Sequence, residues 1–167
     1  GWSFYKHYPP GGEILGAWAM LPFHDDTLYL CVDVAVWLLW APVLLSSLRA
    51  LSLPARHRGP ICLYGMTLPG VYYWIATGYV DITALVLASA GLLFALRALR
   101  GEQPGLSPAL SLLAFAGAVT VKITALAFPV IALGAILAGT ARAPVDRRAL
   151  RRGCVVGSVL AGLVVAP

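Results

Sequence analysis

A few ionisable side chains stand out in these 167 residues because so little else in the chain is polar. Lys6 and His7, with Tyr8 beside them, precede Pro9-Pro10-Gly11-Gly12. Two prolines exclude a regular helix at that point, and the glycines permit unusual backbone angles. A basic, aromatic loop of this kind holds an anionic ligand, or, with Trp2, Phe4 and Tyr5, anchors the chain at headgroup level. His24-Asp25-Asp26 offers carboxylate oxygens to a hard divalent cation such as Mg or Mn. The same acids also suit the cap and first turn of a helix. Asp33 lies inside an apolar run, about two turns from its start, so it must face protein or a water-filled cavity. It shares a helix face with Asp26, Tyr29, Trp37 and Trp40. Tyr79 and Asp81 close the segment Gly78-Tyr79-Val80-Asp81, where Asp81 either caps the next helix or serves chemistry. Lys122, in Val121-Lys122-Ile123-Thr124, has no acid near it in sequence. It snorkels to water or holds a phosphate.

The elements that must carry these residues are apolar. Hydrophobic residues make up 60% of the chain and charged ones 11%, with a mean hydropathy of +0.84. A soluble domain carries about 25% charged residues, so lipid is the expected solvent. Apolar runs cover 27–48, 61–76, 82–96, 107–121, 123–137 and 154–166. Several are shorter than the roughly 20 residues that span a bilayer core and need their flanks to do so. Cys31, Cys62 and Cys154 have no mutual spacing that reads as a metal or disulfide framework.

All ten arginines fall in three groups: Arg49, Arg56 and Arg58; Arg97 and Arg100; and Arg142, Arg147, Arg148, Arg151 and Arg152. Two apolar runs separate consecutive groups, parted by Gly78–Asp81 in one case and by Lys122 in the other. Under the positive-inside rule each pair of runs is a helical hairpin with its arginines in the cytoplasm. One helix over 107–137 would be roughly 46 Å long and would put Arg100 and Arg142 on opposite sides. The expectation is therefore an all-α, polytopic bundle of about six membrane segments. Residues 1–26 form an outer-face loop and interfacial segment, and 27–167 the transmembrane domain. Both lysines then lie outside and every arginine inside. The basic pI of 9.4 thus expresses orientation, and nucleic acid is not an expected partner. With no Met at its start and an apolar run at its end, the chain reads as an interior piece of a longer protein.

The order of these features resembles the multi-spanning GT-C glycosyltransferases that use polyprenyl-phosphate sugars. That group includes relatives of protein O-mannosyltransferases, aminoarabinose transferases and bacterial mannosyltransferases. The resemblance rests on Tyr8-Pro9-Pro10-Gly11 after an outer loop, a span ending in Arg, and a proline-bearing span closing in Gly78-Tyr79-Val80-Asp81. A hairpin tip reading Val121-Lys122-Ile123-Thr124-Ala125-Leu126 completes it. It implies a lipid-linked sugar donor, transfer to a hydroxyl of a glycan, lipid or protein acceptor, and in some members a divalent cation. It also implies a multi-pass protein of the bacterial plasma membrane with its site facing the periplasm or exterior. Lys6, His7, Tyr8 and Lys122 become the phosphate-binding residues, Asp81 a supporting acid, and Asp33 and Tyr79 cavity-lining residues. The principal catalytic acid of such enzymes precedes the Pro-Pro segment and would lie upstream of Gly1, leaving this stretch inactive alone. Asp25 and Asp26 do not reproduce the spaced acidic pair of some members. A transporter or permease, with Pro69-Gly70 and Asp33 lining a path, is the rival reading. A non-catalytic membrane scaffold subunit is the third.

Overall fold

The computed structural model describes residues 11–22, 27–77, 80–140 and 147–165. Every regular element among them is helical: α1 (Gly11–Met20), α2 (Thr27–Ala50), α3 (Ala55–Met66), α4 (Pro69–Thr77), α5 (Asp81–Leu99), α6 (Leu106–Val121), α7 (Ala127–Thr140) and α8 (Arg147–Val165). A 3-10 turn, Ile123–Leu126, joins α6 to α7. The segment 1–26, expected as a loop and interfacial segment, thus holds a helix. α1 starts directly after the two prolines, where missing backbone N–H groups cost a helix nothing. Its Ile14 and Trp18 stay exposed while it packs against α2 and α6.

The breaks between helices follow from local chemistry. α2 and α5 both end in the left-handed turn that ties the last carbonyls back to the chain. After α5, Gly101 takes a φ of 72°, with Gly101 N–H donating to Ala98 and Glu102 N–H to Arg97. After α2 the left-handed residue is Ser52, with Leu53 N–H donating to Leu48. Arg100 donates to the Ser52 hydroxyl at 2.9 Å, joining the two turns. The apolar run 61–76 is divided at Thr67–Leu68, and Pro69 begins α4. A carbonyl at this break, that of Met66, accepts from the Trp37 indole at 3.1 Å. No single helix runs over 107–137, in line with the hairpin reading. β-branched residues crowd 119–124, and Lys122 takes an extended conformation (φ −152°, ψ 119°).

Side-chain contacts fix the direction of each helix. Cys62 lies against the Ala41 carbonyl and Met66 against Trp37, so α3 returns antiparallel to α2. Trp40 donates to Ser89 at 3.1 Å and Arg100 to Ser52, so α5 runs parallel to α2. Ser111 donates to the Gly91 carbonyl at 2.9 Å, and Lys122 meets Asp81, making α6 antiparallel to α5. Ala125 packs with Ala88 and Ala132 with Ala95, so α7 runs parallel to α5. Gly153 sits on Gly105 and Pro108 and Gly157 on Ala109, so α8 follows α6 in parallel. The paired apolar runs are therefore hairpins, as the arginine spacing predicts. Every described arginine falls at one end of the bundle, and Asp81 and Lys122 fall at the other.

Small residues occupy the helix contacts. α5 buries Ala84, Ala88, Gly91, Ala95 and Ala98, and α6 buries Ser107, Ala109, Ser111, Ala116 and Ala118. Large apolar side chains point outward instead, among them Leu39, Leu63, Val130, Ile131 and Leu163. Two helices among the described residues, Leu30–Ala50 and Asp81–Leu99, are long and apolar enough to cross a membrane. The division at Thr67–Leu68, the break at Lys122 and the arginines of α8 leave the other apolar stretches shorter.

Candidate functional site

The end remote from the arginines gathers the described ionisable residues that the sequence singles out. Asp81 is the first residue of α5, where its negative charge complements the helix N-terminus. Lys122 stands 41 residues later, held out of helix by the break after Val121. The antiparallel pairing of α5 and α6 brings the two side chains together as an ion pair. Their side chains are only 17% and 29% exposed, respectively. The acid missing from the sequence neighbourhood of Lys122 is thus supplied by the preceding hairpin.

The pair borders a cavity of about 120 Å³ lined by Asp81, Ala84, Leu85, Lys122, Thr124, Ala125 and Phe128. Its wall is mostly apolar, with two charges and one hydroxyl at its polar edge. An ammonium has three protons to donate. Asp81 takes up one direction and steadies the head, leaving Lys122 donors for an anionic oxygen. The carboxylate of Asp81 is engaged by the Lys122 ammonium. Thr124 was not singled out by its chemistry. The signal that marks it is its place two residues beyond Lys122, in the 3-10 turn that follows the break.

Asp33 is 3% exposed and sits on the face of α2 that carries Trp37 and Trp40. Trp40 lies beside Ser89, and the same register brings Asp33 level with the first turn of α5. Asp33 and the ion pair therefore occupy one level of the bundle. Its Oδ2 has no hydrogen-bond partner among the described residues. A buried carboxylate oxygen is costly to leave without a partner.

Lys6, His7, Tyr8, Asp25, Asp26 and Tyr79 lie outside the described residues. Among those described, no three His, Cys, Asp or Glu residues converge as a metal site. Comparison with models of protein families, with curated proteins and with solved structures finds no match.

Proposed function

We propose that this chain is the N-terminal half of the transmembrane domain of a GT-C-like glycosyltransferase. It moves a sugar from a polyprenyl-phosphate donor to an acceptor hydroxyl on the non-cytoplasmic face. The observation that carries the reading is the meeting of Asp81 and Lys122 at a cavity, at the end opposite every described arginine. With the arginines in the cytoplasm, that cavity faces outward, where a lipid-linked donor presents its phosphate.

The outward display of large apolar side chains supports a multi-pass arrangement. Lipid offers them an apolar solvent, while small residues let helices approach closely. The shorter helices complete their crossings with flanking residues. As the sugar leaves, charge develops on the lipid phosphate, and Lys122 supplies a fixed cation at that point. Lys6 and His7 are the further cations that this reading assigns to the donor. Activation of the acceptor hydroxyl calls for a carboxylate acting as general base. A divalent cation, where used, is assigned to the outer loop.

The test is transfer of labelled sugar from a polyprenyl-phosphate donor by membranes carrying the full-length protein. Lys122→Met is expected to lower transfer by about 10²–10³-fold, whereas Ser52→Ala, at the arginine end, leaves it unchanged. Uptake of a solute into sealed vesicles without any sugar transfer would overturn the proposal. That outcome would favour a transporter, the reading to which the buried Asp33 lends weight, its Oδ2 having no hydrogen-bond partner among the described residues.

A further inference from the structure

At the arginine end, the C-termini of α2 and α5 lie side by side and border a recess of about 160 Å³. Ser46, Arg49 and Ala50 line it from one face of α2, Arg97 and Arg100 from one face of α5, and Glu102 from the turn that follows. Several contacts hold the recess in shape. Each helix ends in a left-handed turn, and Arg100 joins the two turns through its bond to the Ser52 hydroxyl at 2.9 Å. Arg97 lies over the Phe94 ring, 5.7 Å from its centroid, which restrains its guanidinium. The side chains of Ser46 and Arg49 make no hydrogen bond or ion pair among the described residues.

Orientation in the bilayer asks only for arginines at this end, and each helix C-terminus favours a cation. One arginine per helix end meets both demands. Here a third is added, and all three converge on a recess that a free hydroxyl also lines. The recess contains an acid of its own, but Glu102 fills it poorly. It meets Arg97 at 3.9 Å with side chains 37% and 53% exposed, an ion pair of the kind that water and salt weaken most. Counting Asp146 as well, the residue that precedes α8, would still leave three guanidinium groups against two carboxylates.

We propose that this recess binds one phosphate group at the cytoplasmic membrane surface. Arg49 and Arg97 grip its oxygens, Ser46 donates to it, and Arg100 adds charge from the rim. Planar guanidinium groups bind phosphate oxygens in pairs, in a geometry that an ammonium does not offer. Guanidinium groups from neighbouring helices reach one tetrahedral group from two sides, whereas Glu102 engages Arg97 alone. Glu102 is thus the occupant that the phosphate displaces. With the arginines in the cytoplasm the recess sits at headgroup level, so the phosphate comes from an anionic lipid or from a soluble phosphate. The proposal rests on that orientation and is independent of glycosyl transfer.

Two arms on the full-length protein distinguish the sources. After reconstitution in nanodiscs of equal parts dioleoyl phosphatidylglycerol and dioleoyl phosphatidylcholine, lipid retained on the released protein is counted by native mass spectrometry. In detergent without lipid, inorganic phosphate is titrated against sodium chloride of equal ionic strength, and the thermal unfolding midpoint is followed. A lipid source gives retention of phosphatidylglycerol over phosphatidylcholine, and a soluble source a midpoint that rises with phosphate alone. In the arm that shows binding, R49Q/R97Q, which keeps the Arg100–Ser52 bond, should weaken it by at least about tenfold. The charge-matched R151Q/R152Q should bind as the wild type does. E102Q should bind several-fold more tightly, a gain that a purely structural role for these arginines would not produce. That gain is readable even where R49Q/R97Q does not fold. No binding in either arm, equal losses in the two double variants, or no gain in E102Q overturns the proposal. Release of the protein from native membranes by carbonate would instead overturn the membrane reading, and the lipid source with it.

Discussion

Lys122 and Asp81 illustrate how a residue's role depends on a partner far away in sequence. Each charge is largely withdrawn from solvent, and each satisfies the other. Removing one leaves its partner with an unmatched charge, at a cost of about 1–3 kcal/mol. Replacing both by neutral groups removes the need for either. Thermal unfolding in detergent of Lys122→Met, Asp81→Asn and the double variant checks this. The double variant is expected to lose less stability than the two single losses combined, whereas strict additivity would show that the groups act independently. Asp33 presents the contrasting case, a buried carboxylate on the helix face that carries Trp37 and Trp40, with one oxygen unmatched among the described residues. Its position inside an apolar run flags it from sequence alone. Its level beside α5 does not follow from sequence, because that depends on α2 and α5 running parallel.

Among the elements, α8 and α5 depend most on having no side chain at particular points. A Cβ at Gly153 would press into the Gly105 carbonyl and lie 2.6 Å from Pro108 Cγ. At Gly157 it would lie 2.8 Å from the Ala109 Cα, which is backbone and cannot turn aside. Gly91 faces the Phe115 ring, where a Cβ would come within 2.7 Å. Gly162, in contrast, has open space. Gly153→Ala and Gly157→Ala are therefore expected to lower stability by about 1–3 kcal/mol each. Gly162→Ala should be neutral or stabilising by up to about 1 kcal/mol through helix propensity. Detergent unfolding midpoints distinguish the two groups, and equal effects at all three positions would mean that α8 does not pack on α6 through its glycines. The G-x-x-x-G spacing is visible in the sequence. Its partner helix is not, since the contact skips α7 and joins α8 to α6 in parallel.

For the whole molecule, the arrangement of charges carries a topological consequence. The described arginines share one end, and the Asp81–Lys122 pair marks the other. With Cys31, Cys62 and Cys154 replaced by alanine, a single cysteine at Ile123 should react with a membrane-impermeant maleimide from the non-cytoplasmic side. One at Glu102 should react only after the membrane is permeabilised. The same labelling pattern at both positions would contradict the to-and-fro path. The chain's hydrophobic surplus is consistent with this path, because many large apolar side chains lie on the periphery and small ones fill the α5–α6 contact.

The sequence by itself determined that the chain is helical, where its hairpins turn, and that its described arginines lie apart from Lys122. These properties are local: apolar run length, β-branched and proline breaks, and the placement of a few charges decide them residue by residue. Tertiary structure alone decided that Lys122 is paired with Asp81, that Asp33 lies level with that pair, and that arginines of α2 and α5 converge on one recess. Those facts depend on which helix packs against which and in what direction. Side-chain shape across the helix contacts, above all the absence of Cβ atoms at Gly91, Gly153 and Gly157, selects that packing, and no run of neighbouring residues encodes it.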